Sequence, residues 1–120
     1  MRTVLLVIED RALSDVLAEA LVDAGHAATQ VDDAAGAQEA VATQPFDAAI
    51  VDLDTRARDG VRLIARVRAA HPATTVIALL PCGGMPDGAG PPPYHLALEK
   101  PARLAAVLSA VSAAHAAIRN

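Results

Sequence analysis

With 120 residues, 53% of them hydrophobic, the chain has the size of one globular domain and enough apolar character to bury a core. That composition excludes disorder, and no apolar run approaches the roughly 20 residues of a membrane span. A formal charge of -4 argues against direct binding to DNA or anionic lipid.

Short apolar runs alternate with segments of helical period, which marks βαβ units around a parallel sheet and hence an α/β fold. The first predicted strand is Val4 to Ile8, a continuous aliphatic run suited to a strand covered on both faces. Glu9 and Asp10 close the apolar stretch that begins at Thr3. It is too short and too acidic for a secretory signal, so a cytoplasmic protein is expected. Leu13, Val16, Leu17, Ala20, Leu21 and Ala24 then recur on one helical face, and Gly25 suits a left-handed C-terminal cap.

A second strand is expected near Ala27 to Val31, and Asp32 and Asp33 can cap an alanine-rich helix running to about Thr43. Phe46 to Val51 reads as the third strand, ending at Asp52. A polar loop from Leu53 to Gly60 should lead into a helix with Val61, Ile64, Ala65 and Val67, stopped by His71 and Pro72. Thr75 to Leu80 is the fourth strand and Tyr94 to Leu98 the fifth. The last helix shows Leu104, Val107, Leu108, Val111 and Ile118 on one face.

Between the last two strands, residues 81–93 hold a run of glycines and prolines where a crossover helix would be expected. Proline removes backbone donors and glycine costs about 1 kcal/mol per helical position, so a flexible loop should replace that helix within a single domain, 1–120. Cys82 is the only cysteine, which fits a reducing compartment.

In a doubly wound parallel sheet, ligands bind beyond the carboxyl ends of the strands, where the winding reverses. Glu9 and Asp10 follow the first strand, Asp52 ends the third and Lys100 follows the fifth, so three acids and a lysine should share one edge. Carboxylates about 4 Å apart repel by roughly 4 kcal/mol at an effective dielectric of 20. A tight cluster therefore calls for a cation, and Mg²⁺ takes this set of carboxylates, waters and a phosphate oxygen. An ionised Asp52 could then attack phosphorus to form an aspartyl phosphate. The competing reading makes these acids helix caps and solvated loop charges.

The acidic pair Glu9-Asp10 after Val4-Leu5-Leu6-Val7-Ile8, the stretch Ile50-Val51-Asp52-Leu53 with Asp59-Gly60 after it, and the Lys100-Pro101 step together resemble a response-regulator receiver domain of the single-domain chemotaxis type. The resemblance covers nearly the whole chain. It implies a flavodoxin-like sheet of order 2-1-3-4-5 with helices on both faces. It also implies Asp52 as phosphoacceptor, Mg²⁺ bound by Asp10 and Asp52 with Glu9 assisting through water and Asp54 giving its backbone carbonyl, and Lys100 pairing with the phosphoryl group. The family is phosphorylated by a histidine kinase or histidine phosphotransfer protein and catalyses only its own phosphorylation and dephosphorylation.

Receivers of this family place a Thr or Ser hydroxyl at the end of the fourth strand and an aromatic three residues before the lysine. Here the first position is Leu80, or Pro81 with a one-residue shift, and the second is Ala97, so the usual switch relay is missing. The expected role is a stand-alone response regulator that signals to an effector protein by contact. The rivals are a pseudo-receiver that binds without phosphorylation and a phosphate sink. Asp54 and Arg56, two and four positions after the acceptor, could act on the phosphoryl group. Arg58, Arg62 and Arg66 share a helical stripe that could meet an acidic partner. His26, His71, His95 and His115 lack metal-ligand spacing. Ala102, Ala105, Ala106, Ser109, Ala110, Ala113 and Ala117 give the last helix a small-residue face that could form a homodimer.

Overall fold

A computed structural model of the chain describes residues 2–53, 57–80, 96–99 and 104–119; for 57–61, 96, 97, 99 and 114–119 it describes the backbone alone. The elements run β1 (Thr3–Val7), α1 (Arg11–Asp23), β2 (Ala27–Val31), α2 (Ala34–Thr43), β3 (Ala48–Asp52), α3 (Ala57–Ala70), β4 (Thr75–Leu80), β5 (Leu96–Glu99) and α4 (Leu104–Arg119). All strand pairs are parallel, and the sheet order is β2-β1-β3-β4-β5, the doubly wound order expected from the resemblance. The predicted Gly/Pro loop at 81–93 lies outside the described residues. No described helix is long and apolar enough to cross a membrane.

The continuous aliphatic strands work because successive side chains leave the sheet on opposite faces. Val4, Leu6, Ile8, Ile50, Ile77 and Leu79 form one buried cluster with Leu17 and Leu21 of α1 and Val107 and Val111 of α4. Leu5, Val7, Ala49, Val51, Val76 and Ala78 form the other, with Ala37 of α2 and Leu63, Ile64 and Val67 of α3. Each fully buried Leu, Ile or Val contributes about 1.5–3 kcal/mol, so the sheet is held from both sides. One consequence is that α1 and α4 lie on one face and α2 and α3 on the other.

The helix ends follow their capping chemistry. Asp33 starts α2 by accepting a bond from the Gly36 amide at 2.7 Å. Gly25 has φ +92°, and the Gly25 and His26 amides donate to the carbonyls of Val22 and Leu21 at 3.0 and 2.9 Å. That pair of bonds is the Schellman ending, which requires a residue able to enter the left-handed region.

Several boundaries depart from expectation. β3 begins at Ala48 rather than Phe46, because Asp47 already works as an edge bracket. Its Oδ2 accepts from the Thr3 amide at 2.8 Å, and its own amide donates to the Thr3 carbonyl at 2.8 Å. α3 begins at Ala57, so Asp59 and Gly60 are helical and not part of a loop reaching Gly60. The cost of one helical glycine is about 1 kcal/mol, less than burial of Leu63, Ile64 and Val67 returns. β5 runs from Leu96 to Glu99, one residue past the expected end at Leu98, while Tyr94 and His95 lie outside the described residues.

Four residues expected on buried helical faces are exposed: Val16, Ala24, Ala65 and Leu104. Val16 is 49% exposed and Leu104 is 41% exposed. The buried stripe of α1 is Ser14, Leu17 and Leu21, rotated away from Val16. In α4, Ala110 packs against the core, so it does not belong to a free small-residue face.

Candidate functional site

The candidate site lies where the winding reverses. From β1 the chain crosses to β2 on one side, and β3 then pairs with β1 on the other, so the gap beyond the carboxyl ends of β1 and β3 is the topological switch point. Val7 pairs with Val51, which sets Asp52 one step beyond that level, at the end of β3. Glu9 and Asp10 follow β1 at the same edge, on a strand roughly 4.8 Å away in the hydrogen-bonding direction.

Asp52 is half-buried between Val51 and Leu53, which are 2% and 0% exposed, so its carboxylate is anchored at the rim of the core. Glu9 and Asp10 are exposed. Asp10 also caps α1: its Oδ1 accepts from the amides of Ala12 and Leu13 at 3.0 and 3.3 Å. Its residue type explains both roles, since Asp is among the best N-caps and is also a hard oxygen donor. The competing reading of Asp10 as a cap is therefore right as far as it goes, and Oδ1 accepts both capping bonds.

Among the described residues, no group of three or more His, Cys, Asp or Glu side chains is gathered closely enough to hold a metal ion. The expected tight cluster of three carboxylates is therefore not formed among these residues, and what they share is an edge and a donor type. Mg²⁺ retains several waters and uses one or two carboxylates, and Glu9, Asp10 and Asp52 at one sheet edge offer oxygen ligands of that kind.

On the neighbouring strand, Asp52 is level with Leu79, and the Leu53 amide donates to the Leu79 carbonyl at 2.9 Å. Leu80 follows at the edge, half-buried and packed against the cluster under α2 and α3. It pairs with Glu99, while Ala97 pairs with Ala78. β5 thus leads toward the same edge that carries Asp52. Lys100, Asp54, Arg56, Pro81 and Cys82 lie outside the described residues.

A polar link beside the site was not anticipated from the pattern. Ser14 of α1 is 2% exposed and accepts from Gln30 Nε2 of β2 at 2.9 Å, and the same nitrogen donates to Asp15 Oδ1 at 2.8 Å. Arg11 completes the group through an exposed pair with Asp15 at 3.1 Å. The Gln30 amide holds the Asp15 carboxyl below its ordinary 3.8, opposed by desolvation and helped further by Arg11. The available signal was a serine inside an otherwise apolar helical stripe. Of the histidines, His26 is a structural acceptor: its Nδ1 takes the Arg2 amide at 3.1 Å.

Comparison with known proteins agrees with this arrangement. The family model "Response regulator receiver domain" matches residues 4–81. The response regulator protein FleR of Pseudomonas aeruginosa is 33% identical over 82 residues, which are 68% of this chain but only 17% of FleR. In fold, the chain resembles a sensor protein from Polaromonas sp. JS666, at TM-score 0.83 and 24% identity over 98% of both chains. It also resembles NtrX from Brucella abortus in complex with ADP, at TM-score 0.86 and 21% identity over 98% of this chain and 27% of NtrX. A CheY-like receiver domain from Methylobacillus flagellatus matches at TM-score 0.75 and 24% identity over 92% of this chain and 98% of its own. With the family model covering residues 4–81 and the doubly wound sheet carrying Asp52 at its switch point, the chain belongs to the response regulator receiver domain family of two-component systems.

Proposed function

We propose that this receiver accepts a phosphoryl group on Asp52 from the phosphohistidine of a histidine kinase or histidine phosphotransfer protein, and passes the signal to an effector protein by contact. The observation that supports this most is the placement of half-buried Asp52 at the end of β3 with Glu9 and Asp10 beyond the adjoining end of β1. An Asp52 carboxylate oxygen would attack phosphorus in line, the P–N bond to the donor imidazole would break, and the imidazole would leave with its electron pair. Rigid seating between Val51 and Leu53 favours this step, because positioning dominates phosphoryl transfer.

Glu9, Asp10 and Asp52, with the Asp54 carbonyl, would hold Mg²⁺, and Lys100 would pair with the transferred group. When bound, the ion supplies positive charge against the phosphoryl oxygens and the crowded carboxylates. Catalysis would extend only to the domain's own phosphorylation and dephosphorylation, in the cytoplasm where such donors act.

Leu80 favours a second reading. Its hydrocarbon side chain packs on the core at the position where the family carries a hydroxyl, so phosphorylation could not be read out through a hydrogen bond there. A pseudo-receiver, or a phosphate sink that signals nothing itself, would have this property. Beryllofluoride with Mg²⁺ separates the receiver and the sink, which both need an intact acceptor site, from the pseudo-receiver. An intact acceptor site will shift the amide resonances of Glu9, Asp10, Asp52 and Leu53, and an unchanged spectrum would favour the pseudo-receiver.

A further inference from the structure

Two helices on opposite faces of the sheet carry complementary charge at the same spacing. In α1, Asp15, Glu19 and Asp23 recur every four residues against a single cation, Arg11, which leaves the helix at -2. In α3, Arg58, Arg62 and Arg66 recur every four residues, and with Arg68 they outweigh Asp59 to leave that helix at +3. Four residues of helix rise about 6 Å, so both charge rows have the same pitch.

The central members of each row are available. Glu19, Asp23, Arg62 and Arg66 are exposed and make no ion pair or side-chain hydrogen bond among the described residues. Asp15 is already engaged by Arg11 and Gln30, so it is a flank and not the centre. Apolar surface accompanies the charges. Val16 and Val22 are 49% and 58% exposed, three residues either side of Glu19, while exposed Ala65 and Ala69 lie beside Arg62 and Arg66. Small residues on one helix and valines on the other allow close approach of two helices, with the ion pairs at the rim.

Within one molecule these rows cannot meet. α1 packs on the cluster of Leu17 and Leu21, and α3 packs on the opposite cluster of Leu63, Ile64 and Val67. We propose that the occupant of the α3 arginine row is α1 of a second copy of this chain, in a head-to-tail contact centred on Glu19 and Asp23 against Arg62 and Arg66. A nucleic acid is disfavoured by the net charge of -4. A second copy is favoured because it carries the matching acidic row. The contact is heterologous, so it extends to further copies wherever the rotation does not close a ring. It is independent of phosphorylation at Asp52.

The test is sedimentation velocity of the full chain over a range of protein concentrations, at about 0.05 M salt and at about 1 M, where the Debye length falls to about 3 Å. The expected result is concentration-dependent association at low salt that disappears at high salt. Glu19→Lys with Asp23→Lys, and separately Arg62→Glu with Arg66→Glu, should each sediment as monomers while retaining the wild-type circular dichroism. An equimolar mixture of the two double variants should associate again, because each supplies the row the other has inverted. A monomeric wild type at low salt would overturn the proposal. So would association that survives either double variant, as contact through α4 would, or a mixture that stays monomeric.

Discussion

Asp52 and Leu79 are register partners on β3 and β4, and the amide that follows Asp52 donates to the Leu79 carbonyl at 2.9 Å. Asp52 is therefore tied through backbone to a leucine that is 1% exposed in the core. Leu79→Ala should cost about 3 kcal/mol of stability, as buried leucine truncations do. Leu80→Thr, one residue on and half-buried, should cost about 1 kcal/mol, in proportion to the apolar area it keeps from water. Urea unfolding of both variants measures the difference; equal losses would mean that Leu80 is as deeply packed as its neighbour.

Asp10 caps α1 through one carboxylate oxygen, and the proposed Mg²⁺ site would use its charge. Asp10→Ala removes the acceptor for the Ala12 and Leu13 amides and should cost about 1 kcal/mol. Asp10→Asn keeps a capping oxygen and removes the charge, so it should unfold within a few tenths of a kcal/mol of wild type while weakening Mg²⁺ binding as much as Asp10→Ala does. Thermal melts paired with Mg²⁺ titrations separate the two roles.

Asp15 gives a pH-dependent counterpart. Its carboxyl lies below 3.8 in the folded chain because Gln30 donates to the ionised form. A lowered folded value means stability that is present above the unfolded value and lost as pH falls through the folded one. Gln30→Ala should move the Asp15 midpoint up toward 3.8, and acidification below that value should then destabilise the variant less than wild type. Carboxyl-carbon NMR titration reads the midpoint directly.

Much of this architecture was legible in the residues. The aliphatic runs located the strands because strands covered on both faces have no polar positions to break the signal, and the acids at strand ends then fell on one edge. The failures have physical causes. Asp47 extended the apparent third-strand segment toward Phe46, although its side chain and amide bracket Thr3 before the ladder begins. Leu53 to Gly60 read as a polar loop, but α3 already runs through Asp59 and Gly60 because the buried face downstream outweighs one glycine. Val16 fitted the helical period of α1, yet Ser14 occupies the buried position because Gln30 of β2 satisfies its hydroxyl. No helical periodicity reports a partner supplied by another element. Asp10 could be read as a cap or as an oxygen ligand because both favour the same residue type, and the structure shows the cap.

The central claim is that Asp52 accepts a phosphoryl group, and the most direct measurement is intact mass after incubation with acetyl phosphate and Mg²⁺. Wild type is expected to gain the mass of one phosphoryl group, and to lose that gain when Mg²⁺ is chelated beforehand. Asp52→Ala is expected to stay at its starting mass. A wild type that remains unmodified with acetyl phosphate and with histidine-kinase donors, or an Asp52→Ala variant that gains the same mass, would contradict the account.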